Sequence, residues 1–404
     1  MVFILFFLVF ILSKDRKMVF SNEGNELEKN IKTEVEQEEK LLSENVIEKN
    51  IGDSLTSLKS SREGDNKSIS KLMFRVNTAA SPKGMAFSPD GKEFWVASLM
   101  NKNSGLVVHD AKTGKITNRI SFGNGGGVEV IFSKNGEYAY VSQMETASVF
   151  EIDADTKKVS RTFDTQSAWT KVIALSHDGS KLYASNWSGN DVSEFDLSTG
   201  KLIRRIKTVK TPRGIYITKD NKHMYVAGYD KGELQKIDLE NLSSKILYDK
   251  GSALRHIVVD KNEKYMYISD MGKKIILKMD LVANQIVDFA HTDINPNTID
   301  LSNDDKILFV SCRGKNFSSE DYYQPGPEWG TVLLFDTASG KMIDAIVGGN
   351  QPTALDISSD GKVLVFSDFL DAQLEFYQVA SYKEYLNNSN SEWLKSYKNF
   401  IIKN

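Results

Sequence analysis

Basic side chains recur at one position of a repeated sequence pattern, one residue after the residue that opens each repeat. Four of the seven repeats carry a cation there, namely Lys83, Lys171, Arg213 and Arg255. The other three carry Val128, Asn297 and Thr353. Converging cations favour binding of a carboxylate, a phosphate or an acidic peptide. The pattern therefore predicts an anion-binding site, and His256, next to the last cation, is a further candidate for it.

Large side chains recur at a second position, which we call the rim position. The residues at this position are Met100, Met144, Trp187, Tyr229, Met271, Arg313 and Phe369. Packing between neighbouring structural units explains such a series, and so does an aromatic rim around a ligand. Both interpretations stay open, and Trp187, Tyr229 and Arg313 join the candidate ligand-binding residues.

One repeat carries an insertion. The interval from Ser311 to Asp336 is 25 residues long, where the other repeats have 11 or 12. The inserted segment, residues 313–329, contains acidic and aromatic residues, and we take Tyr322, Tyr323 and Trp329 as candidate binding residues. Long non-repeating loops on a rigid scaffold often carry function. The alternative is a neutral surface insertion.

Metal-binding and catalytic signals are sparse. The five histidines fall at unrelated positions of the repeat, which argues against a histidine metal site. Oxygen ligands for Ca²⁺ or Mg²⁺ are conceivable at Glu129, Asn186, Asp270 and Asp368. The chain has no phosphate-binding glycine loop and no nucleophile elbow. We therefore assign no catalytic residue and expect no cofactor.

The repeat itself predicts the elements that position these residues. Each repeat contains four short runs with apolar residues on alternate positions, separated by turns rich in Gly, Asp, Asn and Ser, which indicates a four-stranded antiparallel meander. The repeats open at Pro82, Gly127, Thr170, Pro212, Leu254, Pro296 and Pro352. Seven such sheets bury both faces when they stack radially. The predicted fold is an all-β, seven-bladed β-propeller of four-stranded blades.

The ends of the chain complete this prediction. The run KLMFRV at 71–76 precedes the first repeat, and the last repeat lacks its fourth strand. We therefore expect the N-terminal strand to close the last blade. The alternative is that YKEYL at 382–386 supplies this strand. The propeller is predicted to span 71–380, and the C-terminal extension 381–404 has apolar residues at helical spacing.

The N-terminal residues predict export. The first twelve residues are uninterrupted apolar, too short for a bilayer span of about 20 residues but long enough for the core of a signal peptide. We expect residues 1–13 to be a signal peptide or a membrane anchor and residues 14–70 to be a polar, disordered tether. The expected location is the periplasm or the cell surface.

Charge and cysteine content limit the possible partners. The net charge is −3, and residues 71–404 hold equal numbers of basic and acidic residues. A neutral domain has no bulk field to attract nucleic acid, which argues against that partner. With Cys312 as the one cysteine, an internal disulfide is impossible.

The repeat motif is similar to that of a known family. The pattern P-x-G-I…S-x-D-G-x-x-L-Y-V-S-N…V-x-x-F-D-x-x-T-G-K resembles the YVTN-repeat β-propellers, from Lys71 to about Val379. The resemblance implies a seven-bladed propeller of the surface-layer and lactonase-like group. Similar repeats occur in envelope proteins, in relatives that bind single-stranded DNA, and in lactonase-like and virginiamycin-lyase-like enzymes. The catalytic Glu and His of those enzymes have only Glu129 and His256 as loose counterparts here.

The expected function is that of an exported, non-catalytic envelope propeller that binds a protein partner or an anionic ligand at one face. One alternative is a metal-dependent, lactonase-like hydrolase or lyase. Another is single-stranded nucleic-acid binding, with Trp187 and Tyr229 as stacking platforms.

Overall fold

A computed structural model describes residues 67–99, 104–317, 322–395 and 397. Within these residues 28 strands form seven four-stranded antiparallel sheets. The expected signal peptide or anchor at 1–13, most of the tether at 14–70, and Met100 at the rim position lie outside the described residues.

Six blades are continuous in sequence, and the seventh combines both ends of the chain. Blades one to three comprise β2 (Pro82–Phe87), β3 (Glu93–Ser98), β4 (Leu106–Asp110) and β5 (Ile116–Ile120); β6 (Glu129–Phe132), β7 (Tyr138–Gln143), β8 (Ser148–Asp153) and β9 (Lys158–Asp164); and β10 (Thr170–Leu175), β11 (Lys181–Asn186), β12 (Asp191–Asp196) and β13 (Leu202–Lys207). Blades four to six comprise β14 (Pro212–Ile217), β15 (His223–Gly228), β16 (Leu234–Asp238) and β17 (Ser244–Tyr248); β18 (Leu254–Val259), β19 (Tyr265–Asp270), β20 (Ile275–Asp280) and β21 (Gln285–His291); and β22 (Pro296–Leu301), β23 (Ile307–Cys312), β24 (Thr331–Asp336) and β25 (Met342–Val347). Blade seven comprises β26 (Pro352–Ile357), β27 (Val363–Asp368), β28 (Gln373–Gln378) and β1 (Lys71–Asn77).

Each pair of neighbouring blades shares its own apolar core. The second strand of a blade is buried on both faces, as in β11, where Leu182, Tyr183 and Ala184 are almost fully buried. Seven core clusters result, one at each junction between blades. The first strand of every blade contacts the first strand of the next, and β26 contacts β2. The predicted seven-bladed propeller is confirmed.

The N-terminal strand closes the ring, as predicted from the sequence. Strand β1 pairs antiparallel with β28. Its Arg75 Nε donates to the buried Glu375 at 3.1 Å. Blade three has the same arrangement within one continuous stretch, since Arg204 on its fourth strand pairs with Glu194 on its third at 2.6 Å. Strand β1 therefore occupies the register of an ordinary fourth strand.

The alternative closing strand is wrong, because residues 382–388 are helical. Helix α1 (Tyr382–Asn388) begins after Ser381, whose side chain accepts the backbone N–H of Glu384, while the Glu384 carboxylate accepts the N–H of Ser381. This capping box stabilises the helix start. Tyr385 is buried at the junction of blades six and seven, and Leu394 is buried at that of blades five and six. No helix among the described residues is long and apolar enough to cross a membrane.

The turns between third and fourth strands explain a recurrent Asp in the sequence. Its side chain accepts the backbone N–H of the residue three positions later, as Asp196 accepts from Thr199 at 2.7 Å. The fifth residue of each turn has a positive φ and is Gly114, Lys157, Gly200, Leu242, Asn284 or Gly340. Leu242 has a φ of 62°, a strained value for a residue with a Cβ. Its side chain is 41% exposed, so burial of this side chain does little to offset the strain.

Replacing Leu242 by Gly is therefore expected to stabilise the protein. Left-handed backbone costs a residue with a Cβ roughly 1–2 kcal/mol, and the extra entropy of glycine in the unfolded chain cancels part of the gain, leaving about 0.5–1 kcal/mol. The free energy of unfolding in urea measures it. Asn284→Gly is the matched control and should gain less, because Asn tolerates the left-handed region. A loss of stability in Leu242→Gly would contradict the strain argument.

Candidate functional site

Backbone geometry at the start of the first strands brings the two repeated side-chain positions together. The residue before the first strand lies in the left-handed region in five blades, for example Thr211 with φ of 48°. In four of these five blades its carbonyl accepts the backbone N–H of the rim residue, as from Tyr229 to Thr211 at 3.1 Å and from Phe369 to Gln351 at 3.1 Å. In blade one the Ser81 carbonyl accepts the N–H of Leu99, so the equivalent place is held by Leu99, one residue before the predicted Met100. We call the face where the first strands begin the upper face. These bonds hold the rim residues there, beside the opening of the first strands.

A register shift turns two successive residues toward the central channel. The pairing of β18 with β19 is irregular between Leu254 and Ile257, and both Arg255 and His256 face the channel space. In β22 the shift lies between Pro296 and Ile299. Simple alternation would bring only one of two neighbouring residues inward. The bulge therefore adds lining residues that the strand pattern does not predict.

These residues surround a narrow, partly open space at the upper end of the channel, with a cavity volume of about 10 Å³. The lining residues are Lys83, Val128, Glu129, Val172, Arg213, Arg255, His256, Asn297, Thr298 and Thr353. The gaps between the side chains hold roughly one water-sized sphere, so only a small group could bind deep in the space. Among the described residues that line it, Glu129 is the one carboxylate. We call this space the channel-mouth site.

The mouth cations, Lys83, Lys171, Arg213 and Arg255, act on one another electrostatically. Burial, followed by repulsion from Arg255, Arg213, Arg313 and Lys171, holds the pKa of Lys83 well below its ordinary value. Burial and repulsion from Arg213 and Arg255 do the same to the pKa of Lys171. Like charges held together in a low-dielectric space favour an anion between them. The predicted cations thus share one electrostatic environment.

Glu129 and His256 line the channel-mouth site together with Lys83, Arg213 and Arg255, whereas Lys171 is absent from its lining. Burial raises the pKa of Glu129 to about 7, although Arg213, Lys83 and Arg255 oppose the shift. Burial, with Arg255 and Arg213, lowers the pKa of His256 to about 4, so its ring is neutral at pH 7. The Nδ1 atom of His256 accepts the Ile299 N–H at 3.4 Å, which assigns the ring hydrogen to Nε2.

Glu129 fits because the facing residue of blade one is a glycine. A Cβ added at Gly84 would lie 2.7 Å from Glu129 Oε1 and 2.6 Å from the Glu129 Cα. Any larger residue at position 84 would collide with blade two. The glycine therefore leaves room for the Glu129 side chain.

The rim residues contact the mouth cations directly. Lys171 Nζ lies 5.4 Å from the ring centre of Trp187, and Arg213 Cζ lies 5.7 Å from the same ring. Lys83 Nζ lies 5.3 Å from the ring of Phe369. Trp187 also packs on Tyr229, with ring centres 4.8 Å apart. Cation–π contacts of this kind hold a charged group next to the face of a ring.

Asn297 is a site residue that the sequence did not single out. Its side chain is fully buried and lines the channel-mouth site. Neither amide atom meets a hydrogen-bond partner among the described residues. A buried polar group without a partner costs roughly 1–3 kcal/mol, so this arrangement needs an explanation. Its place in the same repeat position as the cations was the available signal.

The insertion residues divide between two structural units. Arg313 and Trp329 belong to the propeller, where Arg313 is 2% exposed and its guanidinium donates to Gln351. Tyr322 and Tyr323 belong to the unit that includes residues 316–328, and their ring centres lie 5.2 Å apart. Arg313 acts electrostatically on the mouth cation Lys83. Tyr322 and Tyr323 stay predicted binding residues.

The four candidate metal ligands are not brought together. Asp270 accepts the backbone N–H groups of Ser252 and Ala253 at 2.9 and 3.0 Å, within its own blade. The amide of Asn186 donates to Asp191 at 2.7 Å, and Asp368 accepts the N–H of Gly349 at 2.8 Å. Only Glu129 lines the channel-mouth site. The described residues contain no cluster of three or more His, Cys, Asp or Glu suited to a metal ion.

Comparison with known proteins extends the fold assignment. The chain is 29% identical over 325 residues to Antigen Lp49 of Leptospira interrogans serogroup Icterohaemorrhagiae serovar copenhageni (strain Fiocruz L1-130), covering 76% of this chain and 69% of the relative. Hydrazine synthase of Kuenenia stuttgartiensis aligns with a TM-score of 0.63 and 17% identity, covering 76% of this chain and 97% of that one. The structural likeness shows the fold alone.

A match to a protein-family model assigns the chain to a family. The model described as YNCE-like beta-propeller matches residues 54–318, which is more than half of the chain. It supports a propeller family, while the finer YVTN-repeat assignment stays a prediction. On this match, the chain belongs to the YNCE-like β-propeller family.

Proposed function

We propose that this protein is a binding propeller that holds an anionic group of a ligand or a protein partner in its channel-mouth site. The single observation that carries the proposal is the convergence of Lys83, Arg213 and Arg255 with the buried amide of Asn297 around one space. A binding role needs no reacting group, and oriented cations with neutral donors suffice to hold an oxyanion. His256 adds a neutral N–H donor to this set.

The narrowness of the space excludes anything larger than one small anionic group from its interior. Larger parts of a ligand would stay outside, next to the partly exposed Trp187 and Tyr229, whereas Phe369 is buried beneath Lys83. Aromatic side chains at such a position offer apolar contact area to the rest of the partner. The rim would then select the partner, and the cations would hold its charge.

We expect Asn297→Leu to raise stability and weaken anion binding together. Leu has a similar volume and leaves no buried amide unsatisfied, so the free energy of unfolding should rise by about 1 kcal/mol. Loss of the amide donor should weaken sulfate binding about tenfold, which corresponds to one ordinary hydrogen bond. Urea unfolding and titration calorimetry with sulfate measure the two effects.

The matched control is Asn186→Leu. The Asn186 amide donates to Asp191 and Ser193 and accepts from Thr170, so its removal should cost about 2 kcal/mol of stability and leave sulfate affinity unchanged. If Asn297→Leu destabilised the protein and bound sulfate normally, Asn297 would be a structural residue and the proposal would lose this support.

We further propose that the protein acts outside the cytoplasm, in the cell envelope. The apolar run at residues 1–12 followed by a polar segment supports export. The relative that covers 76% of the chain is named as an antigen, which supports a surface or exported location. Fractionation of the source cells, with a cytoplasmic enzyme as marker, tests this, and recovery with the marker would contradict it.

A further inference from the structure

Glu129 is the one described carboxylate of the channel-mouth site, and charged groups from several blades surround it. Those that act on it are Lys83 of β2, Arg213 of β14 and Arg255 of β18. His256 of β18 shares the space and is neutral at pH 7. Lys171 acts on Lys83, and Arg313 does so from the rim position. Glu129 is thus an internal counter-ion for the cations that would bind a ligand.

An anion that enters the space meets this carboxylate. Two negative groups between the same cations repel each other, and desolvation of the channel strengthens that repulsion. The nearby Asn297 amide cannot neutralise either charge. A proton on Glu129 removes the repulsion and converts the carboxylate from an acceptor into an O–H donor.

We propose that the channel-mouth site takes up a small oxyanion together with one proton, and that Glu129 carries this proton. The inference rests on the proposed function and names its ligand class, a single sulfate, phosphate or carboxylate group. The proton comes from solvent and is held on a carboxylate oxygen of Glu129. Binding forms no covalent bond and requires no other reactant.

The direction of the pH dependence follows from the pKa of Glu129, which is about 7 in the free site. Below this value the group is neutral and the anion binds without repulsion. Above it the group is ionised, and anion binding must draw a proton from solvent. A shift of one pKa unit on binding changes affinity by up to about tenfold, so affinity for a non-titrating anion should fall by that factor from pH 6 to pH 8.5.

Deprotonation of Lys83 and Lys171 would also make anion affinity fall as the pH rises. Lys83 and Lys171 have pKa values held below their ordinary value, and loss of their protons at higher pH would also weaken anion binding. Only the Glu129 mechanism disappears when that carboxylate is replaced by its neutral amide. His256 titrates near pH 4 and does not contribute between pH 6 and 8.5.

The experiment is titration calorimetry of the full chain with sulfate between pH 6 and 8.5, in two buffers of different ionisation enthalpy. Sulfate does not titrate in this range, so any proton uptake belongs to the protein. We expect uptake of about 0.5 proton per sulfate at pH 8. Glu129→Gln should bind without proton uptake and should exceed the wild-type affinity about tenfold at pH 8.5.

Glu145→Gln is the matched control, because Glu145 acts on Lys171 and is absent from the lining of the site. It should keep the wild-type proton uptake. A parallel titration with phenyl sulfate tests whether the bound anion can be the terminal group of a larger molecule. Binding of the ester means that it can, and binding of sulfate alone means that the site takes a free anion. Proton uptake or a tenfold pH effect that persists in Glu129→Gln would assign the titration to a lysine and overturn the inference. Absence of binding by both sulfates at every pH would instead contradict the proposed function itself.

Discussion

Replacing Arg213 and Arg255 together by glutamine is expected to weaken sulfate binding at least about 100-fold. A hydrogen bond to a charged group contributes roughly 1.5–3 kcal/mol, so the loss of two removes about 3 kcal/mol or more. Both side chains are buried at the channel-mouth site, with 7% and 8% exposure, and water cannot easily replace them there. Titration calorimetry with sulfate at pH 6 measures the change.

The variant should keep its fold. After burial, repulsion from Arg213 and Arg255 is what lowers the pKa of Lys83 and Lys171, so removing these two charges relieves repulsion. The exposed Arg119 and the half-exposed Arg205 supply the matched control, Arg119→Gln with Arg205→Gln, which lowers the net charge equally away from the channel. Equal loss of affinity in both variants would mean that sulfate responds to overall charge, and the proposed site would be wrong.

Breaking the closing strand is expected to destabilise the protein by about 5 kcal/mol, a large part of the stability of an ordinary domain. The change is Phe74→Asp with Val76→Asp in the full chain. Phe74 stacks on Phe376 with ring centres 4.6 Å apart, and both replaced residues pack against the core between blades seven and one. Two carboxylates in this apolar contact would separate β1 from β28. The urea midpoint and the slope of the transition measure the effect.

Met73→Asp is the control within the same strand. Met73 is 48% exposed and lies where the pairing of β1 is irregular, so a carboxylate there should change stability by less than about 1 kcal/mol. If the double variant unfolded no more easily than this control, the ring would not depend on its N-terminal strand.

The sequence predicts the fold almost completely, for a physical reason. Burial of both blade faces enforces the same apolar alternation in every repeat, so the pattern that gives the period also gives the strands. The closing strand was predictable because Val76 keeps the same distance from Pro82 as Ile206 keeps from Pro212. Helix α1 was ambiguous, because YKEYL suits a strand or a helix and the capping Ser381 decides between them.

The site was predictable only in part. Side chains in equivalent repeat positions meet around one axis, so Lys83, Arg213 and Arg255 could be grouped from spacing alone. Two things could not be read from spacing. The bulges in β18 and β22 bring a second residue inward, and Glu129 lies beside the cations although β6 pairs with β7 without a register shift. The lack of a partner for Asn297 depends on three-dimensional packing. The contacts of Asn186, Asp270 and Asp368 with groups next to them in their own blades are likewise a tertiary feature.

Because Arg75 of β1 pairs with Glu375 of β28, strand β1 stays unpaired during most of the synthesis of the chain. The two residues are 300 positions apart, and at about 5–20 residues per second the first strand leaves the ribosome roughly 15–60 seconds before its partner. During that interval six blades can form while the ring stays open and an apolar strand lacks its neighbour. Lys71 and Arg75, which flank Leu72, Met73 and Phe74, place charges on this unpaired edge, and such charges disfavour pairing with another chain. The same strand that closes the finished molecule thus carries its own protection against premature association.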